Sequence, residues 1–74
     1  MKTIQLTEVN PLRYINDKLN ITVKYEPTDE YEAVLLITKK GAYDLIEVYP
    51  NVFSGMCHTS KVTVNLNNNT LKYN

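Results

Sequence analysis

The sequence predicts a small, mostly-β protein, either all-β or α+β, with an antiparallel sheet or barrel of about five or six strands. Apolar and polar residues alternate strictly over residues 19–26, as they do in a strand with one buried face. A continuous apolar run follows at Ala33–Ile37, and alternation returns at Val62–Leu66. We expect one domain spanning residues 1–74, built on a three-stranded meander at residues 19–49.

The N-terminal segment predicts a strand and then the one short helix of the fold. Residues 2–8 alternate, so a strand is expected there with Ile4 and Leu6 facing inward. Asn10–Pro11 resembles a helix start, since asparagine caps free amides and proline suits the first helical position. Apolar residues then recur at helical spacing, which favours a helix of about two turns over residues 11–18.

The meander is the best-defined part of the prediction. Its first strand covers residues 19–26, and a turn at residues 27–30 leads into a strand at residues 31–38. Both faces of that second strand are apolar, so it should be central and covered on both sides. A hairpin loop with Gly41 at positive φ leads to a third strand at residues 42–49.

Two interpretations stay open for the third strand, and the last third of the chain is less regular. A helix over residues 42–48 competes with the strand, although tyrosines and β-branched residues favour the strand. Residues 51–60 show no period and contain Ser54 and Gly55, which predicts a loop. A terminal hairpin should follow at residues 61–73, turning at its asparagine triplet.

Composition narrows the classes of function. Eight basic residues balance eight acidic ones, which disfavours nucleic-acid binding without excluding it. The single cysteine excludes an internal disulfide and is typical of a reducing compartment. We find neither a secretory leader nor a run long and apolar enough to span a membrane, so a cytoplasmic location with no membrane association is expected.

No motif in the sequence predicts catalysis or a cofactor. With two glycines in the chain, no glycine-rich phosphate-binding loop is present. Cys57 and His58 are adjacent, and neighbours on an extended chain point to opposite faces, which argues against a nucleophile–base pair. Four zinc ligands are not available from one cysteine and one histidine. A non-enzymatic protein without metal or cofactor is therefore expected.

The first turn of the meander supplies the leading candidate for a binding site. Carboxylates gather there without a basic residue among them, and such a cluster could occupy a basic surface of another protein, with aromatic side chains as anchors. The alternative is that acidic turns are ordinary solvated surface. The predicted partner-binding residues of this acidic pole are Glu26, Asp29, Glu30, Glu32, Tyr31, Tyr49 and Phe53.

A second class of function uses the six tyrosines. Aromatic rings on a sheet can stack single-stranded bases while neighbouring lysines follow the phosphates. A single-stranded nucleic-acid-binding β-barrel is therefore the rival hypothesis, although tyrosine is also an ordinary strand former. Its predicted face consists of Lys24, Tyr25, Lys39, Lys40 and Tyr43.

The leading hypothesis is a non-enzymatic module that binds another protein through the acidic pole. A homodimer with sheet packed on sheet is a further option, because it would cover both faces of the central strand. Asparagine, lysine, isoleucine and tyrosine are frequent, which is typical of AT-rich genomes. On that association we expect an accessory protein of a phage or mobile element that inhibits or adapts a host protein.

Overall fold

Every regular element in the computed structural model, which describes residues 2–27 and 29–74, is a β-strand. The strands are β1 (Lys2–Gln5), β2 (Thr7–Asn10), β3 (Arg13–Asn16), β4 (Ile21–Tyr25), β5 (Ala33–Thr38), β6 (Gly41–Tyr49), β7 (Val52–Cys57), β8 (Ser60–Asn65) and β9 (Thr70–Tyr73). The predicted β class is confirmed. The predicted number of strands is wrong, because the described residues form nine.

The strands form one antiparallel sheet that nearly closes into a barrel. Its order is β1-β9-β8-β7-β6-β5-β4-β3-β2, so most strands pair with their neighbours in the chain. The two strands at the ends of this order, β1 and β2, are separated in the chain by Leu6 alone. The two edges of the sheet must therefore come together at that residue.

Hydrogen bonds and burial at Leu6 hold this closure. Its backbone N donates to Asn69 O at 2.7 Å, on the β8–β9 side. On the other side, Asn16 Nδ2 donates to Gln5 O at 3.0 Å. The Leu6 side chain is 2% exposed and belongs to the core. One short segment thus pairs with both edges and places an apolar side chain between them.

Replacing Leu6 with alanine should destabilise the protein by about 2–4 kcal/mol, because it leaves a cavity in the core. The matched control is Val9→Ala in the same segment, where the side chain is 53% exposed. That control should cost about 0.5 kcal/mol or less. Urea unfolding followed by circular dichroism measures both free energies of unfolding. Equal losses in the two variants would contradict the proposed role of Leu6.

The core fills the interior of the curved sheet. Val34 and Leu36 of β5 face inward and are buried, whereas cover on both faces of this strand was expected. On the outer face of the same strand, Leu35 and Ile37 are only half-buried. The interior therefore covers one face of this strand fully and leaves the other partly open. The buried cluster consists of Leu6, Tyr14, Val23, Val34, Leu36, Leu45, Phe53, Val62, Val64 and Leu71.

The meander at residues 19–49 is confirmed. Strand β4 pairs with β5, and β5 pairs with β6, each antiparallel. Residues 42–48 lie within β6, so the competing helix is wrong. Gly41 has a φ of 147°, as expected from a glycine at this loop. The terminal hairpin is also confirmed, since β8 and β9 are antiparallel partners.

The predicted helix over residues 11–18 is wrong, because Arg13–Asn16 form strand β3. The side chain of Asn10 accepts a hydrogen bond from Leu12 N at 2.8 Å and so closes a turn instead of capping a helix. Tyr14 then lies opposite Val23 in the sheet and is buried. The helical spacing of apolar residues was coincidental, since a short segment takes the structure that buries its side chains best.

The predicted loop at residues 51–60 is also wrong over most of its length, because Val52–Cys57 form strand β7. Gly55, which suggested a loop, instead permits close packing inside the barrel. A Cβ atom at this position would lie 2.7 Å from Leu45 Cδ2 and 2.9 Å from the backbone O of Asp44. A glycine within a strand can mark such a close approach.

Gly55→Ala should therefore destabilise the protein by about 1–3 kcal/mol through overpacking. Met56→Ala is the matched control, because this neighbouring side chain is largely exposed. The control should change the free energy of unfolding by about 0.5 kcal/mol at most. Thermal and urea unfolding check both values, and a Gly55→Ala protein as stable as the wild type would show that β6 and β7 are not closely packed there.

Candidate functional site

The turns of the antiparallel sheet alternate between the two ends of the barrel. The β4–β5 connection, residues 26–32, lies at one end. The β5–β6 and β7–β8 turns, at residues 39–40 and 58–59, lie at the other. At about 3.3 Å per residue, β5 separates these ends by roughly 20 Å. The acidic connection and the lysine turn at residues 39–40 are therefore at opposite ends of the barrel.

Three hydrogen bonds attach the acidic connection to the barrel. The hydroxyl of Tyr25 donates to the carboxylate of Glu32. Glu26 N donates to Ala33 O at 2.9 Å. Glu47 N donates to Glu32 O at 3.2 Å, which joins the connection to β6. The carboxylates on this connection are thus carried by a backbone anchored to two strands.

The connection and β6 enclose an open depression of about 640 Å³, which we call the acidic groove. Four of the side chains that line it are carboxylates, and none is basic. Ile46 provides an apolar patch and Tyr31 an aromatic ring. The groove is lined by Asp29, Glu30, Tyr31, Glu32, Ile46 and Glu47.

Large apolar side chains are exposed along the strand that forms one wall of the groove. Ile46, Val48 and Tyr49 are each at least half exposed, and Tyr49 reaches 72%. Tyr31 on the acidic connection is also exposed. Aromatic and aliphatic side chains of this kind dominate the affinity of protein interfaces, and charged groups around them improve selectivity.

Tyr25 has the most strongly shifted pKa at the acidic end. The hydrogen bond to Glu32, followed by desolvation and by the charges of Glu32 and Glu47, raises the pKa of Tyr25 to about 12. The ring of Tyr25 packs edge-on against Phe53, with centroids 6.0 Å apart. Tyr25 therefore links the core to the acidic connection.

Tyr25→Phe should cost about 1 kcal/mol at neutral pH, because the bond to Glu32 is lost. The pKa of Tyr25 is higher in the folded protein than its ordinary value of 10.0. Its stabilisation is therefore complete below pH 10 and is lost as the pH rises toward 12.

Unfolding free energies measured from pH 8 to 12 test this dependence. The wild type should lose more stability above pH 10 than Tyr25→Phe does. Burial, followed by the charge of Glu8, also raises the pKa of Tyr14, so the difference between the two proteins is the quantity that isolates Tyr25. Parallel curves for the two proteins would rule out the bond to Glu32 as a source of the alkaline loss.

Of the seven residues predicted for the acidic pole, Asp29, Glu30, Tyr31 and Glu32 line the acidic groove, and Glu26, Tyr49 and Phe53 do not. Phe53 is 0% exposed and lies in the core, so it is not a surface anchor. The alternation of β7 points its side chain inward, and this strand was not recognised in the sequence. Ile46 and Glu47 line the groove but were missed. The one sequence signal for them was that apolar and polar side chains occur on both faces of residues 42–49.

The residues proposed for nucleic-acid binding are not on one face. Lys24 is exposed, but its neighbour Tyr25 points into the barrel and packs on the core. Tyr43 is half-buried, and its hydroxyl lies 2.7 Å from His58 Nε2. Lys39 and Lys40 lie at the same end as Tyr43, away from the other two residues. The structure therefore gives no continuous surface of exposed tyrosines and lysines from this set.

Other chemistries find little support in the part of the chain that is described. Residues 2–27 and 29–74 contain no group of three or more His, Cys, Asp or Glu side chains arranged to hold a metal ion. They also contain no helix long and apolar enough to cross a membrane. Comparisons with protein-family models, curated proteins and solved structures find no match to this chain.

Proposed function

We propose that the chain is a non-enzymatic protein-binding module whose acidic groove receives a basic segment of another protein. The observation that carries this proposal is the combination of four carboxylates with an exposed isoleucine in one groove. A segment with lysine or arginine beside one apolar side chain would complement both parts. The charges would steer association, and the apolar contact would hold the complex.

The attachment of the acidic connection supports this proposal. Ordering a loop on binding costs free energy, and a loop that is already fixed avoids much of this cost. Here Tyr25 and Glu47 hold one end of the connection through Glu32, which lowers this cost at that end. Glu47 also accepts a hydrogen bond from Asn51 N at 3.3 Å, so the next turn is tied to the same wall.

A more specific proposal concerns the biological setting. The frequent asparagine, lysine, isoleucine and tyrosine residues are typical of AT-rich genomes, which include those of many phages. An acidic groove on a small protein can imitate phosphate charge and occupy the basic surface of a nucleic-acid-handling protein. We therefore favour an accessory protein of a phage or mobile element that inhibits or adapts such a host protein.

Reversing charge in the groove with Asp29→Lys and Glu30→Lys should weaken partner binding by at least about tenfold. The matched control is Glu8→Lys with Asp17→Lys, which changes the net charge equally at exposed carboxylates outside the groove. The partner is first captured from host lysate with the wild-type protein and is then purified. Its affinity for each variant is measured by biolayer interferometry at several salt concentrations, with circular dichroism to verify folding.

Ile46→Ala, which removes the apolar side chain of the groove, separates the apolar contribution from the charge contribution. It should weaken binding without changing the salt dependence, because no charge is removed. Met56→Ala, another exposed apolar side chain, is the control. For the charge variants, equal weakening by Asp29→Lys/Glu30→Lys and by Glu8→Lys/Asp17→Lys would mean that net charge alone governs binding and that the groove has no specific role.

The nucleic-acid rival is tested with labelled single-stranded oligonucleotides at low salt, where phosphate contacts are strongest. We expect no binding, because Tyr25 and Tyr43 are not presented together on the surface. Oligonucleotide binding that weakens steeply with salt would favour the rival function instead.

A second copy of this chain is also a candidate partner, because the opposite end of the barrel carries Lys39 and Lys40. A head-to-tail contact of this kind does not close on itself and would build longer assemblies. Sedimentation velocity of the protein alone at low salt distinguishes the cases. A monomer would leave the groove to a different protein.

A further inference from the structure

The end of the barrel opposite the acidic groove opens into a second depression, of about 550 Å³, which we call the mouth pocket. Its floor is formed by core side chains of β5, β8 and β9, and its walls by side chains at the ends of the strands. The apolar part of its lining includes Leu19, Ile21, Leu36, Val62, Leu71 and Tyr73.

Apolar side chains above the buried core stay accessible at this end. Ile21 and Tyr73 pack against the core but stay half-buried, and Leu19 is 44% exposed. At the other end, Tyr25 and Phe53 pack against each other across the interior. The mouth of a β-barrel is a common position for small-molecule sites, which are mostly apolar with a few placed polar groups. The mouth pocket matches that description.

Two lysines stand at the rim above this apolar floor. Lys39 and Lys40 form the two-residue turn between β5 and β6, and both line the pocket. The side chain of Thr38 accepts a hydrogen bond from Lys40 N at 3.1 Å, which fixes the turn. No carboxylate lines the pocket. Its described lining therefore presents two positive charges over an uncharged interior.

His58 adds a polar group at the rim of the pocket. It begins the two-residue turn between β7 and β8 and has a φ of 57°, a conformation that favours glycine or asparagine. Its ring lies edge-on to Tyr43, with centroids 5.4 Å apart, and its Nε2 is 2.7 Å from the Tyr43 hydroxyl. The imidazole is thereby held at the rim, on the side of the pocket formed by β6 and β7.

We propose that the mouth pocket binds a small amphipathic anion, with one apolar chain and one carboxylate. The apolar chain lies against the accessible side chains of Leu19, Ile21 and Tyr73, above the buried floor, and the carboxylate lies between Lys39 and Lys40 at the rim. The proposal commits to a free organic acid rather than to an anionic lipid in a bilayer. It does not depend on the protein-binding proposal, because the two sites are at opposite ends of β5.

Isothermal titration calorimetry with decanoate below its micellar concentration tests the proposal. Decanol, which has the same chain without the charge, is the ligand control. We expect decanoate to bind at least about fivefold more tightly than decanol, since two partly exposed lysines contribute modestly. Vesicles of anionic phospholipid form a separate arm, in which co-sedimentation of the protein is measured. Binding to the vesicles but not to free decanoate would overturn the proposal.

Lys39→Gln with Lys40→Gln should weaken decanoate binding about fivefold to tenfold and leave decanol binding unchanged. The control pair is Lys24→Gln with Lys72→Gln, which removes the same charge from exposed positions outside the pocket. That pair should leave the affinity for decanoate within about twofold of the wild type. Equal effects of the two pairs would overturn the proposal, because long-range charge alone would explain the binding.

A second pair of variants tests the apolar wall. Leu19→Glu places a negative charge at the pocket and should weaken decanoate binding by about tenfold or more. Leu12→Glu makes the same change at an exposed leucine of the opposite end and should have little effect. Near-ultraviolet circular dichroism verifies that each variant is folded. The groove variant Asp29→Lys/Glu30→Lys should bind decanoate normally, so failure of one proposal is distinguishable from failure of the other.

Discussion

The fold depends on the closure of its sheet by the N-terminal segment. Without β1 and β2, the seven strands β3–β9 would form a sheet with two free edges and would expose unpaired backbone groups, which are templates for aggregation. Here β1 covers one edge and β2 the other, and Leu6 between them is buried beneath the seam. One segment therefore satisfies both edges and completes the core, and every other strand can then pair with its neighbours in the chain.

This closure gives the molecule two different ends. Because each strand reverses direction, successive turns lie alternately at one end and at the other. The acidic connection at residues 26–32 and the lysine turn at residues 39–40 are consecutive turns, so they are separated by the whole length of β5. A chain with no net charge thereby becomes electrostatically polar. The polarity follows from the order of the turns and needs no excess of either charge.

The two ends also differ in how the interior is filled. At the acidic end, Phe53 and Tyr25 fill the interior, and the hydroxyl of Tyr25 extends to Glu32. Packing at the acidic end therefore helps to position the surface formed by the acidic connection. At the basic end, Ile21 and Tyr73 are half-buried and line the mouth pocket above the core. Packing at the basic end leaves the depression that forms the mouth pocket. The same core thus supports an external groove at one end and a pocket at the other.

Local patterns in the sequence determined the parts of the fold that depend on neighbouring residues. Strict alternation at residues 19–26 and the apolar run at Ala33–Ile37 predicted β4 and β5, because side chains of a strand alternate between two faces. The turn residues between the strands predicted the hairpins of the meander, and the carboxylates of its first turn predicted the acidic pole. The predicted binding residues Asp29, Glu30 and Glu32 do line a groove.

Only the tertiary structure decided the features that depend on residues far apart in the chain. Arg13–Asn16 are a strand because β4 pairs with them, and Gly55 lies in a strand because Leu45 packs closely above it. Phe53 is buried in the core because β7 is part of the assembled barrel. Ile46 joins the groove because β6 lies beside the acidic connection. Burial is a property of the assembled barrel, so no local pattern of these residues could have established it.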